Sequence, residues 1–180
     1  MSNLKIILRE KVFIQPILIP TFLSLSRLLI LPVFFSYLIS GDPLAFPFYL
    51  LACATDLLDG KLARLLKVTS HKGAVLDAFA DFLLVAAGFS YYIALGFVSE
   101  LLLVVMTASF LQYILTAKKQ VRDSFGKHVG TVLYVLLAVM ILFPGRATGI
   151  GSTVIGVIYI FASFINRFNT LRKHNQQSFL

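Results

Sequence analysis

Residues 43–97 read PLAFPFYLLACATDLLDGKLARLLKVTSHKGAVLDAFADFLLVAAGFSYYIALGF. Two apolar runs, 43–66 and 72–97, flank a short connection that is basic around Lys61, Arg64, Lys67 and Lys72. Each run reaches the ~20 residues an α-helix needs to cross a hydrocarbon layer. The connection near Thr69 to Lys72 is so short that the two helices must be antiparallel neighbours. Four acids interrupt them: Asp56 and Asp59 in the first run, Asp77 and Asp81 in the second. Positions three and four apart share a helix face, so each pair projects together and the two acidic faces can meet.

Outward from this pair, further runs at 17–40, 99–118, 128–145 and 149–168 bring the expected number of spans to six. Turn formers separate them at Gly41-Asp42-Pro43, Ser70 to Gly73, Gly96 to Glu100 and Pro144-Gly145. The composition agrees. Of 180 residues, 58% are hydrophobic and 13% charged, against about a quarter charged in soluble domains. Mean hydropathy is +0.89, which places the chain among membrane proteins. With one cysteine, Cys53, no internal disulfide exists, and its apolar setting suits it to packing. No linker, repeat or low-complexity tract appears, so 1–180 reads as a single all-α membrane domain. Its six-helix bundle covers 15–170, with a polar active-site cavity facing the cytoplasm.

Orientation follows from Lys and Arg placement. Lys5, Arg9 and Lys11 precede the first span, Lys61 to Lys72 occupy the second connection, and Lys118, Lys119, Arg122 and Lys127 the fourth. Arg167, Arg172 and Lys173 occupy the tail, while the alternate connections hold only Arg146. Both termini and the acidic site are therefore expected on the cytoplasmic side of a cell inner or plasma membrane. Residues 2–13 mix apolar and basic positions, and segment 1–14 is expected to lie in the interface as a short amphipathic helix. The basic excess, 16 Lys and Arg against 8 acids, flanks apolar spans. Anionic lipid headgroups and phosphorylated substrates explain it better than nucleic acid does.

An aspartate at the centre of a span costs ~2.5–3.5 kcal/mol, so four approach ~10 kcal/mol if additive. Their mutual repulsion in a low-dielectric site adds to this. Divalent cations relieve both, and an all-carboxylate donor set suits Mg²⁺ or Mn²⁺ rather than zinc. Gly60, Ala63, Gly73 and Ala78 leave volume beside the acids, and Arg64, one turn beyond Gly60, suits a bidentate grip on phosphate. Together these residues indicate phosphoryl chemistry. Interfacial salt bridges absorb one or two aspartates but not two facing pairs. A divalent-cation transporter is the alternative of another class, and an arginine beside the acids opposes it by repelling the cargo.

The stretch from Asp56 to Asp81 resembles the signature of the CDP-alcohol phosphotransferase family, D-x2-D-G-x2-A-R-x8-G-x3-D-x3-D, at all eight specified positions. Pro20 to Arg27 resembles the family's P-N-x-L-T-x-x-R motif, with Thr21 in place of Asn and Ser24 in place of Thr. The resemblance implies six spans and a phospholipid-biosynthetic transferase. Such an enzyme cleaves a CDP-alcohol at its pyrophosphate, releases CMP and passes the phosphoalcohol to a second hydroxyl. By motif position, Asp56, Asp59 and Asp77 would hold one metal, and Asp56, Asp77 and Asp81 a second. Asp81 would be the general base. Gly60, Ala63, Arg64 and Gly73 would form the cytidine–diphosphate cleft, with Ser70 and Thr21 as further substrate contacts. Two metal ions ~3.5–4 Å apart can bridge a diphosphate and stabilise its leaving group.

The donor implied is CDP-diacylglycerol or an ether analogue, and the favoured acceptor is glycerol 3-phosphate. Inositol phosphate, serine and phosphatidylglycerol are the alternatives. Lys118, Lys119, Arg122 and Lys127 read either as positive-inside topology or as a grip on an acceptor's phosphate. Gly126-Lys127 with Thr131 resembles the G-K-x-K-T segment of phosphatidylglycerophosphate synthases, with Thr one residue late and the second Lys absent. Arg27, inside the first span, must meet the acidic cleft or snorkel. Tyr91, Tyr92 and Tyr113 are candidate interface markers. Gly149, Gly151 and Gly156 suit close helix packing or a homodimer. His71, His128 and His174 lack metal-ligand spacing.

Overall fold

A computed structural model describes residues 27–65, 71–116 and 126–177. They form six α-helices, with no strand among the described residues. Helix α1 is described over 27–40; α2 is Ala45–Leu65, α3 His71–Ala94, α4 Glu100–Thr116, α5 Gly126–Leu142 and α6 Arg146–Gln177. Each expected run thus overlaps one helix, with α3, α5 and α6 beginning one to three residues earlier than expected. Among the described residues, only Val75–Ala94 and Arg146–Thr170 combine the length and apolarity needed to cross a membrane unaided. The apolar part of α2 stops at Thr55, where Asp56 begins the polar stretch. The expected interfacial segment 1–14 and the start of the first span lie outside the described residues. Helix α6 runs past the expected end of the bundle at 170. Leu171, Arg172, Lys173 and Gln176 are good helix formers, and no Gly or Pro interrupts them.

Two turns have the same physical basis. At Gly41 (φ 66°), the glycine N–H donates to the Leu38 carbonyl at 3.2 Å, and the Asp42 N–H donates to the Tyr37 carbonyl at 3.0 Å. This left-handed cap satisfies the last carbonyls of α1 and favours a residue without Cβ. Asp42 then caps α2, its Oδ1 accepting the Leu44 N–H at 2.8 Å, and Pro43 contributes a φ already suited to a first helical turn. Gly96 (φ 71°) repeats the device after α3, with Gly96 N–H to Ile93 O at 2.8 Å and Phe97 N–H to Tyr92 O at 3.0 Å.

Contacts divide the chain into two compact units, Met1–Leu84 and Val85–Leu180. In the first, Phe34, Leu38, Tyr49, Ala52, Ala80 and Leu84 are buried. Aromatic pairs join α1 to α2, with Phe34 and Tyr49 ring centroids 5.8 Å apart and Tyr37 stacked on Phe48 at 5.1 Å. Both spacings fall in the favourable range for ring pairs.

In the second unit, Phe89, Leu102, Met106, Leu137, Met140 and Ile160 form the core. Two of the three glycines singled out in α6 pack within the chain itself. A Cβ on Gly149 would lie 2.0 Å from the Phe97 carbonyl oxygen, and one on Gly156 would lie 2.7 Å from Leu102 Cδ1. Gly151 faces open space. The Ser99 N–H donates to Thr153 Oγ1 at 3.2 Å, and the Thr153 hydroxyl donates to the Gly149 carbonyl at 2.9 Å. These bonds fix the turn before α4 against α6. Tyr92, expected at an interface, is 3% exposed and belongs to the core; its ring meets Tyr91 edge-on at 5.2 Å.

Large apolar side chains are exposed along every helix, from Leu29 at 74% in α1 to Leu115 at 79% in α4 and Ile158 at 63% in α6. A water-facing surface does not carry so many.

Candidate active site

The site begins with α3. Asp77 and Asp81 are separated by one helical turn, and both carboxylates are partly exposed, 36% for Asp77 and 27% for Asp81. They converge on Arg27 at the start of the described part of α1. Nη2 of Arg27 donates to Asp77 Oδ1 and Nη1 to Asp81 Oδ1. Arg27 itself is 1% exposed. The choice left open for this arginine between snorkelling and meeting the acids therefore falls to the acids. A fixed cation buried in the first unit neutralises charge that two neighbouring carboxylates would otherwise impose on each other. The planar fork of guanidinium suits this bridge because its two terminal nitrogens reach two different partners.

Helix α2 carries Asp56, Asp59, Gly60, Ala63 and Arg64, and α3 carries Gly73. The surroundings of these six residues lie outside what the structure describes, as do Thr21 and Ser70. Among the described residues no group of three metal-ligating side chains forms. The donor set fits a hard divalent cation all the same. Asp77 and Asp81 present oxygen donors alone, the kind a hard divalent cation takes, and in this structure both meet the Arg27 guanidinium. Of the acceptor-phosphate candidates, Lys118, Lys119 and Arg122 lie outside the described residues. Lys127 falls in the first turn of α5, with its side chain likewise outside.

One basic residue has a role that charge counting missed. By sequence Arg167 counts with Arg172 and Lys173 among the charges of the tail. In α6 it is instead 8% exposed, with its guanidinium carbon 5.6 Å from the centroid of Tyr113 in α4. A cation over a tyrosine face is stabilised by the ring's quadrupole, more so when desolvated. Tyr113 is thereby part of that contact rather than a simple interface marker. The signal was weak in sequence, because 54 positions separate the partners and no motif links them.

The chain is similar to a CDP-diacylglycerol–glycerol-3-phosphate 3-phosphatidyltransferase of Pseudomonas fluorescens, at 39% identity over 77 residues. The match covers 38% of this chain and 37% of the relative, so the chain spans well under half of that protein's length in the aligned part. A family model described as CDP-alcohol phosphatidyltransferase matches residues 17–165, which include Arg27 and the four aspartates of the motif. Enzymes of this family work at membranes and depend on divalent metal, in keeping with the two long apolar helices and the oxygen donors of α3. By its sequence over most of its length, the chain belongs to the CDP-alcohol phosphatidyltransferase family.

Proposed function

We propose that this protein transfers the phosphatidyl group of CDP-diacylglycerol, or of an ether-linked counterpart, to the hydroxyl of glycerol 3-phosphate and releases CMP. The observation that carries this is the convergence of Asp77 and Asp81 on the one guanidinium of Arg27 within a chain of this family. The acceptor comes from the name of the Pseudomonas relative and from the Lys118, Lys119, Arg122 and Lys127 cluster, which suits an acceptor bearing its own phosphate. Inositol phosphate, serine and phosphatidylglycerol are the competing acceptors.

In the reaction the acceptor oxygen forms a bond to the lipid-bearing phosphorus, and the bond from that phosphorus to the CMP oxygen breaks. Asp81 takes the acceptor's proton. Asp56, Asp59 and Asp77, with Asp81 at the border, would hold two Mg²⁺ or Mn²⁺ ions. When bound, these ions supply charge neutralisation on the diphosphate and on the departing CMP. Arg64 grips donor phosphate, while Gly60, Ala63 and Gly73 leave room for the nucleotide, and Ser70 and Thr21 add polar contacts. What remains for the protein is positioning of the hydroxyl in line with the leaving group.

The same proposal has the chain 1–180 as one multi-pass domain, entered by an interfacial segment over 1–14. Its site and both termini face the cytoplasm, as the Lys and Arg distribution favours. The exposed apolar side chains on every helix support lipid contact. Cation transport by the same acids is disfavoured, since Arg27 places a fixed positive charge on the carboxylates a cargo ion would use.

The test is release of CMP by purified protein from CDP-diacylglycerol against a panel of acceptors. Glycerol 3-phosphate should give the highest kcat/KM, and excess EDTA should abolish turnover until Mg²⁺ or Mn²⁺ is restored. CMP release with none of the acceptors would remove the transferase assignment. Preference for inositol phosphate would move only the acceptor.

A further inference from the structure

We propose that Arg27 is a resident counter-cation of the Asp77–Asp81 pair that competes with the divalent ion and so sets how tightly that ion is held. The inference rests on the metal-binding reading of these two acids. Three observations carry it. One guanidinium donates to both carboxylates through separate nitrogens. Its side chain is fully buried, whereas the two acids are 36% and 27% exposed. It comes from α1, a different helix from the one bearing either acid.

The guanidinium therefore lies on the protein side of the carboxylates, and an incoming cation must approach from their open side. Guanidinium cannot give up its proton in a protein, so its charge cannot be removed when a metal arrives. Two like charges sharing the same carboxylates repel strongly in a poorly solvated site. Metal uptake must then break at least one Arg27 contact.

The arrangement has a use. Two aspartates facing each other's charge at membrane depth are costly in any interval without metal, and Arg27 compensates them throughout. The same contact weakens metal binding, which keeps the ion exchangeable between turnovers. In this role Arg27 positions and neutralises the acids and is not itself a catalytic residue.

The experiment is Mn²⁺ titration of the purified full chain in detergent, reading free Mn²⁺ by electron paramagnetic resonance. Wild type, Arg27→Gln, Arg27→Lys and Asp77→Asn are compared. Arg27→Gln removes the competing charge and should bind Mn²⁺ at least ~10-fold tighter than wild type. Arg27→Lys retains the charge and should stay near wild type. Equal or weaker Mn²⁺ binding by Arg27→Gln overturns the proposal.

A measurement on the unmutated chain guards against a misfolded variant. With ¹⁵N-arginine labelling, the Arg27 guanidinium protons should exchange slowly with water in EDTA and markedly faster at saturating Mg²⁺. Unchanged exchange overturns the proposal whatever the variants do. The two levels of failure are separable. If wild type takes up no Mn²⁺, or Asp77→Asn takes it up unchanged, the metal-binding reading fails and this inference with it. If Asp77→Asn loses Mn²⁺ while Arg27→Gln merely matches wild type, only the counter-cation role is lost.

Discussion

The Asp81→Asn variant is expected to lose ~10²–10⁴-fold in kcat for phosphatidyl transfer, the usual range for removing a general base, while still binding CDP-diacylglycerol. The substitution is nearly isosteric. Its amide oxygen can still accept the Arg27 Nη1 bond that Asp81 Oδ1 accepts, so the first unit keeps its α1–α3 contact. What is lost is negative charge and the capacity to take a proton. The Asp77→Asn variant should show the larger loss of Mn²⁺ affinity beside its loss of turnover, since Asp77 is proposed as a full ligand and Asp81 only as one at the border of the metal site. Single-turnover CMP release together with equilibrium binding of labelled donor distinguishes the two outcomes. Turnover by Asp81→Asn within tenfold of wild type would falsify the assignment of this residue as base.

The second large effect concerns stability. Gly149→Ala should destabilise the protein by ~3 kcal/mol or more, at or above the top of the usual range for overpacking. Its Cβ would meet the Phe97 carbonyl oxygen at 2.0 Å, and that oxygen belongs to backbone held by neighbouring bonds. Phe97 N–H is tied to Tyr92 O, and Ser99 N–H is tied through Thr153 to α6. No rotamer change relieves the clash, so α6 or the turn before α4 must shift.

Gly151→Ala, two residues further on, meets nothing within 4 Å. It should be neutral or stabilising by up to ~1 kcal/mol through helix propensity. Unfolding of both variants in the same detergent, by temperature or denaturant, checks the contrast. Equal stability of the two would mean that α6 does not approach Phe97 as closely as described.

Much of the architecture was legible from residue order. Helical boundaries near Gly41 and Gly96 followed from glycine's tolerance of positive φ, and Asp42-Pro43 signalled the start of α2 because these residues cap and prearrange a first turn. Asp77 and Asp81 sharing a face followed from the helical period alone. These are local properties, decided by residues within a turn or two of each other.

Other features depended on partners distant in sequence. Arg27 lies 50 and 54 positions from the acids it bridges, and nothing in the sequence chooses between its two fates, snorkelling or pairing. Arg167 looked like one more cytoplasmic charge until α4 brought Tyr113 beneath it. Gly149, Gly151 and Gly156 were equivalent as letters, whereas only the packing of α6 separates the two that cannot bear a Cβ freely from the one that can.

By itself, then, the order of residues determined that this chain is helical and apolar, and that it carries paired aspartates of the CDP-alcohol phosphatidyltransferase kind, because periodicity, turn chemistry and motif spacing are short-range. Only the tertiary structure decided which cation rests on Asp77 and Asp81 and which glycines are indispensable, since both are set by the distance between helices that sequence spacing does not encode.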